Sequence, residues 1–360
     1  MAPNTTHPRP GEATISCGTG YGGGGLGQHL AQVVEEARAA GRLSAYYAGA
    51  IAPGDAAGRV IPRSPLLGLA GYTPLRFSWA RTLHLGAELF DRAVARSLRG
   101  PIDTFVGFGG LSLHSFRRAR ELGARRLELH AANSHVGNVM RQHARALADY
   151  PFDSPWIGRG QVAKTLKEYE LADLIWVASE YTRQSFLDAG FPQSKLARFH
   201  LQTAARFVPP QTRPDDGIFR VVYVGGLTVG KGVPLLVRAF SRLKNESAKL
   251  TLVGGVSSRG MKRFLKEAMA RDPRIVLAPG DPLPHLWQAD VYVHPTYEDG
   301  WAYAPAEALA CGVPVIVTHD TGMKELVHEG ENGYVVPTGD EDAIHEGLSF
   351  AAAQPAEPMF

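Results

Sequence analysis

The sequence predicts an α/β protein built from two doubly wound domains, and three observations carry that prediction. Strand-like apolar runs alternate with amphipathic helical runs over most of the 360 residues, the pattern of parallel sheets covered by helices. The alternation breaks at RFVPPQTRPDDG (206–217), where prolines and a polar run mark a linker. Glycine clusters stand where strands end, and open parallel sheets bind ligands beyond the carboxyl ends of their strands. The expected organisation is one domain over 1–205, the linker, and a second domain over 218–360, with a cleft between the two.

Each element follows in order. EATISCGT (12–19) reads as a buried strand, TGYGGGGLG (19–27) as a glycine loop, and QHLAQVVEEARAAG (28–41) as an amphipathic helix that Gly41 ends. Residues 50–80 are irregular and proline-marked. A helix at 83–98, a strand at 103–109, a helix at 113–123 and a strand at 125–132 come next. A helix at 162–172, a strand at 174–179 and a helix at 180–190 close this half. After the linker the alternation resumes with strands at 219–226, 249–255, 274–280, 290–296 and 313–319. Helices at 233–243, 260–270, 282–289, 305–312 and 321–330 lie between and after them.

Composition narrows the class further. At 44% hydrophobic and 20% charged the chain is an ordinary globular sequence, too long for one core of typical size. A formal net charge of +3 gives no reason to expect nucleic acid as a partner. Cys17 and Cys311 lie in opposite halves and make no disulfide framework, which fits a reducing compartment. No apolar run reaches the length of a membrane span, and MAPNTTHPRPGEA lacks the apolar stretch of a signal peptide. A cytoplasmic protein is expected. The 40 glycines cluster at turns without a period, which excludes collagen-like and low-complexity readings.

The stretch EDGWAYAPAEALACG (298–312) carries the first candidate site. Pro305 is tolerated in a first helical turn, so a helix should start near Ala304, preceded by a loop over Asp299–Tyr303. Backbone N–H groups at such a start, at the positive end of the helix dipole, seat phosphate. Glu307 falls at about the third helical position, where it either satisfies its own helix start or meets a ligand. Asp299 either shapes the turn or meets the same ligand. A loop carboxylate plus a helix carboxylate suits a molecule with hydroxyls at both ends of a diphosphate.

VYVGGLTVGKG (222–232) sets Gly225 and Gly226 after a strand and Lys231 at a helix start. Glycine lets backbone approach an anion, and lysine supplies a point charge for phosphate. A solvated surface lysine is the alternative. The Walker spacing fails because Gly232 follows Lys231. The cluster Gly22–Gly27, with Gly24 and Gly25 at its centre, lacks the strict GxGxxG form of a dinucleotide site. A flexible loop facing the cleft and a plain surface loop both fit it. In LELHAANSH (127–135), His130 ends a strand and His135 lies just beyond, each either poised for substrate or satisfied and half-buried. No CxxC, HExxH or paired-carboxylate pattern appears, so no bound metal is expected, and no GxSxG elbow supports a hydrolase. The basic segment RRARELGARR (117–126) is either a solvated face or a contact for anionic headgroups through Arg117, Arg118, Arg125 and Arg126.

Together these residues resemble the GT-B glycosyltransferases of the retaining, glycogen-synthase-like family 4. The resemblance is strongest in Val222–Gly232, ADVYVHPTYEDGW (289–301), the D-x7-E spacing of Asp299 and Glu307, AEALACGVPVI (306–316) and GENGYVVPTGD (330–340). The first half agrees more loosely, through the glycine loop, LADLIWVASEYTRQSFLDAG (171–190) and His130. The resemblance implies two Rossmann-like domains, a nucleotide diphosphate sugar as donor, and no metal or other cofactor. It implies that a hexose moves to a hydroxyl of a sugar, lipid or small molecule. Asp299, with Glu298 beside it, would meet the sugar hydroxyls, and Glu307 the ribose hydroxyls. Amides around Gly300, Trp301, Ala302, Tyr303 and Ala304 would hold the diphosphate, with Lys231 neutralising it. Gly24, Gly25, Gly225 and Gly226 would approach the donor, and His130 would support its sugar from the first domain. Retention in that family is ascribed to front-face attack, a phosphate oxygen taking the acceptor's proton.

This chain departs from the family pattern at four places. Asp299 stands where glutamate is common, Gly226 where an arginine is usual, and QTAA (202–205) where an NGVD-like turn is expected. Only 20 residues follow Asp340, where family members continue through helices that cross back to the first domain. These departures keep a second reading open, a weakly active or inactive nucleotide-sugar-binding partner in a transferase complex. A third is a GT-B nucleotide-sugar epimerase, for which His130 and His135 would be the acid–base pair. The basic segment adds an expectation of peripheral contact with the inner membrane face.

Overall fold

The computed structural model describes residues 11–70, 72–73, 78–256 and 258–353. Residues 1–10 of the polar leader and 354–360 of the expected second domain lie outside them. The chain divides into two compact units. One comprises Met1–Asn138 and Pro155–Leu201; the other comprises Val139–Ser154 and Gln202–Phe360. The division therefore falls before Gln202 rather than at 206–217, and a segment from the first half of the sequence folds with the second unit. Packing explains that transfer: Ala146 and Tyr150 are buried in one core cluster with Val221, Tyr223 and Phe240.

In the first unit, β1 (Ala13–Gly20), β2 (Leu43–Ala50), β3 (Gly58–Val60), β4 (Thr104–Phe108), β5 (Arg126–Ala131), β6 (Leu174–Val177) and β7 (Leu196–Arg198) form a parallel sheet. Its order is β3-β2-β1-β4-β5-β6-β7. Its helices are α1 (Gly24–Ala39), α2 (Pro65–Ala70), α3 (Trp79–Ser97), α4 (Leu113–Glu121), the first turn of α5 (Val136–Asp149), α6 (Arg159–Leu171) and α7 (Glu180–Asp188).

In the second unit, β8 (Arg220–Val224), β9 (Lys249–Val253), β10 (Ile275–Leu277), β11 (Val291–His294), β12 (Val315–Thr318) and β13 (Gly333–Val336) are also all parallel. Their order is β10-β9-β8-β11-β12-β13. Here the helices are the rest of α5, α8 (Val233–Ser241), α9 (Arg259–Arg271), α10 (Leu283–Leu286), α11 (Tyr303–Ala310) and α12 (Glu341–Ala353). Both sheets thus repeat one winding, reversing beside their first strand, between β1 and β4 and between β8 and β11. At such a switch point the loops beyond the carboxyl ends part and leave room for a ligand. The second sheet is buried on both faces, with Tyr223 and Val293 in one cluster and Val222 and Tyr292 in the other.

Several expectations change. The glycine cluster is not a flexible loop: α1 already begins at Gly24, and the β1–α1 turn closes through Gly23 N–H to Gly20 O at 3.1 Å and Gly27 N–H to Gly23 O at 3.2 Å. A Cβ on Gly27 would come within 2.3 Å of Gly20 O, so glycine is what lets the helix close on the strand. Residues 321–330 hold only a short 3-10 turn, Gly322–Leu326. Strands β2, β3, β7 and β13 and helices α2, α5 and α12 appear where no element was expected, and α3 begins at Trp79.

Candidate functional site

At the switch point of the second sheet, the loop after β8 meets the loop after β11. Tyr297 N–H donates to Gly230 O at 3.0 Å, tying the two together. After β8, Gly225 takes φ 146°, a conformation that favours glycine, and its N–H donates to Val253 O at 2.9 Å. The Tyr223 hydroxyl donates to Gly226 O at 3.0 Å. Gly232 then caps α8 in the left-handed region at φ 68°, and a Cβ there would lie 1.8 Å from Pro295 O. The helix start is thereby pressed against the end of β11, which delivers Lys231 to the next loop.

That loop is fixed on both sides. The Thr318 hydroxyl donates to Thr296 O at 2.6 Å, and the Thr296 hydroxyl to Glu298 O at 2.9 Å. Asp299 N–H donates to Asp320 O at 3.1 Å, while Asp299 O accepts from Gly322 N–H at 3.0 Å. On this anchored backbone the Asp299 carboxylate lies 2.6 Å from Lys231 Nζ and 3.2 Å from His294 Nε2. Lys231 Nζ also approaches Glu298 O at 3.4 Å. Burial pushes the Asp299 carboxyl up, but Lys231 and His294 outweigh it and hold the group well below the usual carboxylate range. Burial keeps the His294 imidazole below its ordinary value despite Asp299, so a neutral ring donates from Nε2 to the carboxylate. The Tyr292 hydroxyl, which donates to Val224 O at 3.2 Å, lies 3.4 Å from His294 Nδ1.

Glu298 and Asp299 are each 9% exposed and Glu307 only 4%, so three carboxylates stand close in sequence and largely out of water. Helix α11 begins at Tyr303, with Ala302 at its cap offering no side-chain acceptor. Pro305 is then its third residue and Glu307 its fifth. A capping carboxylate belongs at the third position, two residues before Glu307. Gly300 and half-buried Trp301 lead into this start. Burial raises the Tyr303 phenol, and the Glu307 charge adds to the rise.

The segment 139–154 braces both loops, a contact that no motif in it signals. Asp149 Oδ2 accepts from the Tyr297 hydroxyl at 2.6 Å, and Asp153 Oδ2 from Val229 N–H at 3.1 Å. Arg145 Nη2 donates to Thr338 O at 2.5 Å; the Thr338 hydroxyl in turn accepts from Asp320 N–H at 3.1 Å, next to the anchor of Asp299. His294 was also overlooked. Its position at a strand end, five residues before Asp299, was the available signal.

In the first unit both candidate histidines pack against other rings. His130 is 2% exposed and His29 3%, with His130 Nδ1 3.0 Å from His29 Nε2. The His130 ring stacks on Phe108 and Trp176 at 5.3 and 6.0 Å. It is a core residue, because the register of β5 aligns it with apolar neighbours on both adjacent strands. His135 sits at the start of α5, accepting Gly137 N–H at 3.2 Å on Nδ1, its ring against Tyr169 and Phe186. Gly24 and Gly25 are exposed in the first turn of α1 rather than in a loop. The four-arginine surface is divided: Arg125 pairs with Asp103, Arg126 with Glu128 at 2.8 Å and Arg118 with Glu121 at 2.9 Å. Among the described residues no helix is long and apolar enough to cross a membrane.

Residues 218–353 match the family model described as Glycosyl transferases group 1. Over 138 residues the chain is 32% identical to the capsular polysaccharide biosynthesis glycosyltransferase CapM of Staphylococcus aureus, covering 36% of each protein. Matches to curated relatives span about a third to a half of those proteins' own length. Among solved structures, sucrose-phosphate synthase from Thermosynechococcus elongatus aligns with a TM-score of 0.71 at 21% identity, over 97% of this chain and 91% of that one. Anabaena HepE, solved with UDP and glucose, aligns with a TM-score of 0.64 at 15% identity, over 95% and 90%. The fold matches those of GT-B glycosyltransferase structures.

Proposed function

From a chain whose residues 218–353 form a glycosyl transferases group 1 domain, we propose a glycosyltransferase that moves a hexose from a nucleotide diphosphate sugar to a hydroxyl acceptor with retention. The observation that supports it best is the ionised Asp299 held 2.6 Å from Lys231, four residues before α11 begins at Tyr303. The leaving group of such a transfer is a nucleoside diphosphate, and developing charge on it needs fixed cations and dipoles. Lys231 supplies the cation, and the amides leading into α11 supply the dipole. Asp299 and Glu298 take the sugar hydroxyls, and Glu307 takes the ribose hydroxyls. A phosphate oxygen of the donor accepts the acceptor's proton, so no protein base is assigned, and neither a metal nor a further cofactor is needed. His130 packs in the first unit's core and is assigned no step. Peripheral attachment at the cytoplasmic membrane face suits an acceptor carried on lipid.

Incubating the full chain with a panel of nucleotide sugars and following nucleoside diphosphate release tests the reading. Release with one donor supports it. Lys231→Ala and Glu307→Ala should each weaken nucleoside diphosphate binding by about tenfold, the size of one lost charge-assisted contact. Unchanged affinity in both variants would refute the pocket. A binding-only relative is favoured by Gly226, which offers no second cation. Thermal stabilisation by a nucleotide without turnover across the panel would select it.

A further inference from the structure

Between α3 and α4 of the first unit runs a groove of about 500 Å3 lined by Arg92, Arg96, Arg99, Arg117, Arg118 and a single acid, Glu121. The whole chain carries a formal charge of only +3, so five guanidiniums lining one groove, with two carboxylates to pair them, are a local concentration rather than a reflection of composition. Glu88 answers Arg92 at 2.9 Å, and Glu121 answers Arg118 at 2.9 Å. Arg96, Arg99 and Arg117 are exposed and pair with no carboxylate among the described residues. Arg99 is nonetheless held in place, its Nη1 donating to the carbonyls of Arg96 and Leu98 at the end of α3. Arg125 and Arg126, by contrast, are neutralised by Asp103 and Glu128.

Arg92 and Arg96 stand one turn apart on α3, Arg99 follows just past its end, and Arg117 and Arg118 lie on the facing helix, so the guanidiniums are spread along the groove. One phosphate cannot reach all of them; a molecule with two or more phosphates can. Guanidinium forks pair with phosphate oxygens two at a time, which suits this set better than a diffuse field would. We propose that the α3–α4 groove binds an anion bearing several phosphate groups, carried either on a soluble molecule or on clustered lipid headgroups. This site is separate from the donor loops and stands whether or not the chain transfers sugar.

Tripolyphosphate titrated into the full chain by calorimetry at low salt provides the first arm, with Lys231→Ala as a control for binding at the donor loops. The triple variant Arg96→Ala, Arg99→Ala, Arg117→Ala should lose at least tenfold in affinity, while Lys231→Ala keeps the groove event. Co-sedimentation with phosphatidylglycerol or phosphatidylcholine vesicles provides the second arm. Binding to the anionic vesicles alone, lost in the triple variant and weakened by salt, assigns the phosphates to lipid. Tripolyphosphate binding that needs the arginines, with no vesicle binding, assigns them to a soluble ligand. If the triple variant binds both probes as the parent does, or binding is lost only in Lys231→Ala, the proposal is overturned. Should the triple variant melt early, the single Arg117→Glu variant, on an exposed helix position, carries the same comparison.

Discussion

Lys231 Nζ sits 2.6 Å from Asp299 Oδ2, so the cation proposed for phosphate and the carboxylate proposed for sugar form one nearly neutral unit. A diphosphate must share the lysine with this carboxylate. Asp299→Asn should therefore bind a nucleoside diphosphate more tightly, by roughly three- to tenfold for about 1 kcal/mol of electrostatics, while turnover falls at least tenfold. Calorimetry and a turnover assay read the two separately. Weaker binding in Asp299→Asn would mean that the carboxylate organises the lysine rather than competing for it.

Gly226 is exposed, and a side chain there would meet only Thr228 Cγ2 at 3.9 Å. Gly226→Arg should fold normally and add a second cation beside the proposed diphosphate position. Nucleoside diphosphate affinity should rise about tenfold, as for one added charge-assisted contact. No gain would place the diphosphate away from this loop.

Gly232 behaves oppositely. Its left-handed backbone and its 1.8 Å approach of a built Cβ to Pro295 O leave no room for alanine. Gly232→Ala should cost roughly 3 kcal/mol of stability and displace Lys231, since backbone strain of this kind is worth a few kcal/mol. A melting temperature within a degree of the parent's would contradict this.

Burial pushes His29 down to about 3 and holds His130 well below its usual value. Both rings stay neutral in the fold, whereas unfolded imidazoles take protons below about pH 6.5. Stability is thus complete above about pH 6.5 and declines as pH falls towards the folded values, by about 1.4 kcal/mol per pH unit for each ring. His130→Gln should flatten the decline between pH 6.5 and 5 by about one proton's share. Melting curves across that window check it, and an unchanged slope would show that His130 is protonated in the fold.

Much of this was readable from residues alone. The strand–turn–helix punctuation of Val222–Gly232 and the proline-marked start of α11 marked the two loops that meet at the switch point, because glycine, proline and charge constrain backbone locally. Strand β2, LSAYYAGA, was missed because its alanines and glycine carry little strand signal, and pairing with β1 decides its conformation. The surroundings of His130 are hidden for a related reason: a strand-end histidine looks the same in sequence whether its neighbours are water or Phe108 and Trp176.

The seating of 139–154 in the second unit has a consequence for any attempt to divide the chain. A piece beginning at Gln202 would leave behind Tyr150 and Ala146, both buried among Val221, Tyr223 and Phe240, and would lose the Asp149 and Asp153 struts under its two loops. Such a fragment should melt early, short by about 3–5 kcal/mol for the vacated slot. A synthetic 139–154 peptide added in trans should restore it, a complementation between halves that the proline-rich stretch at 206–217 conceals.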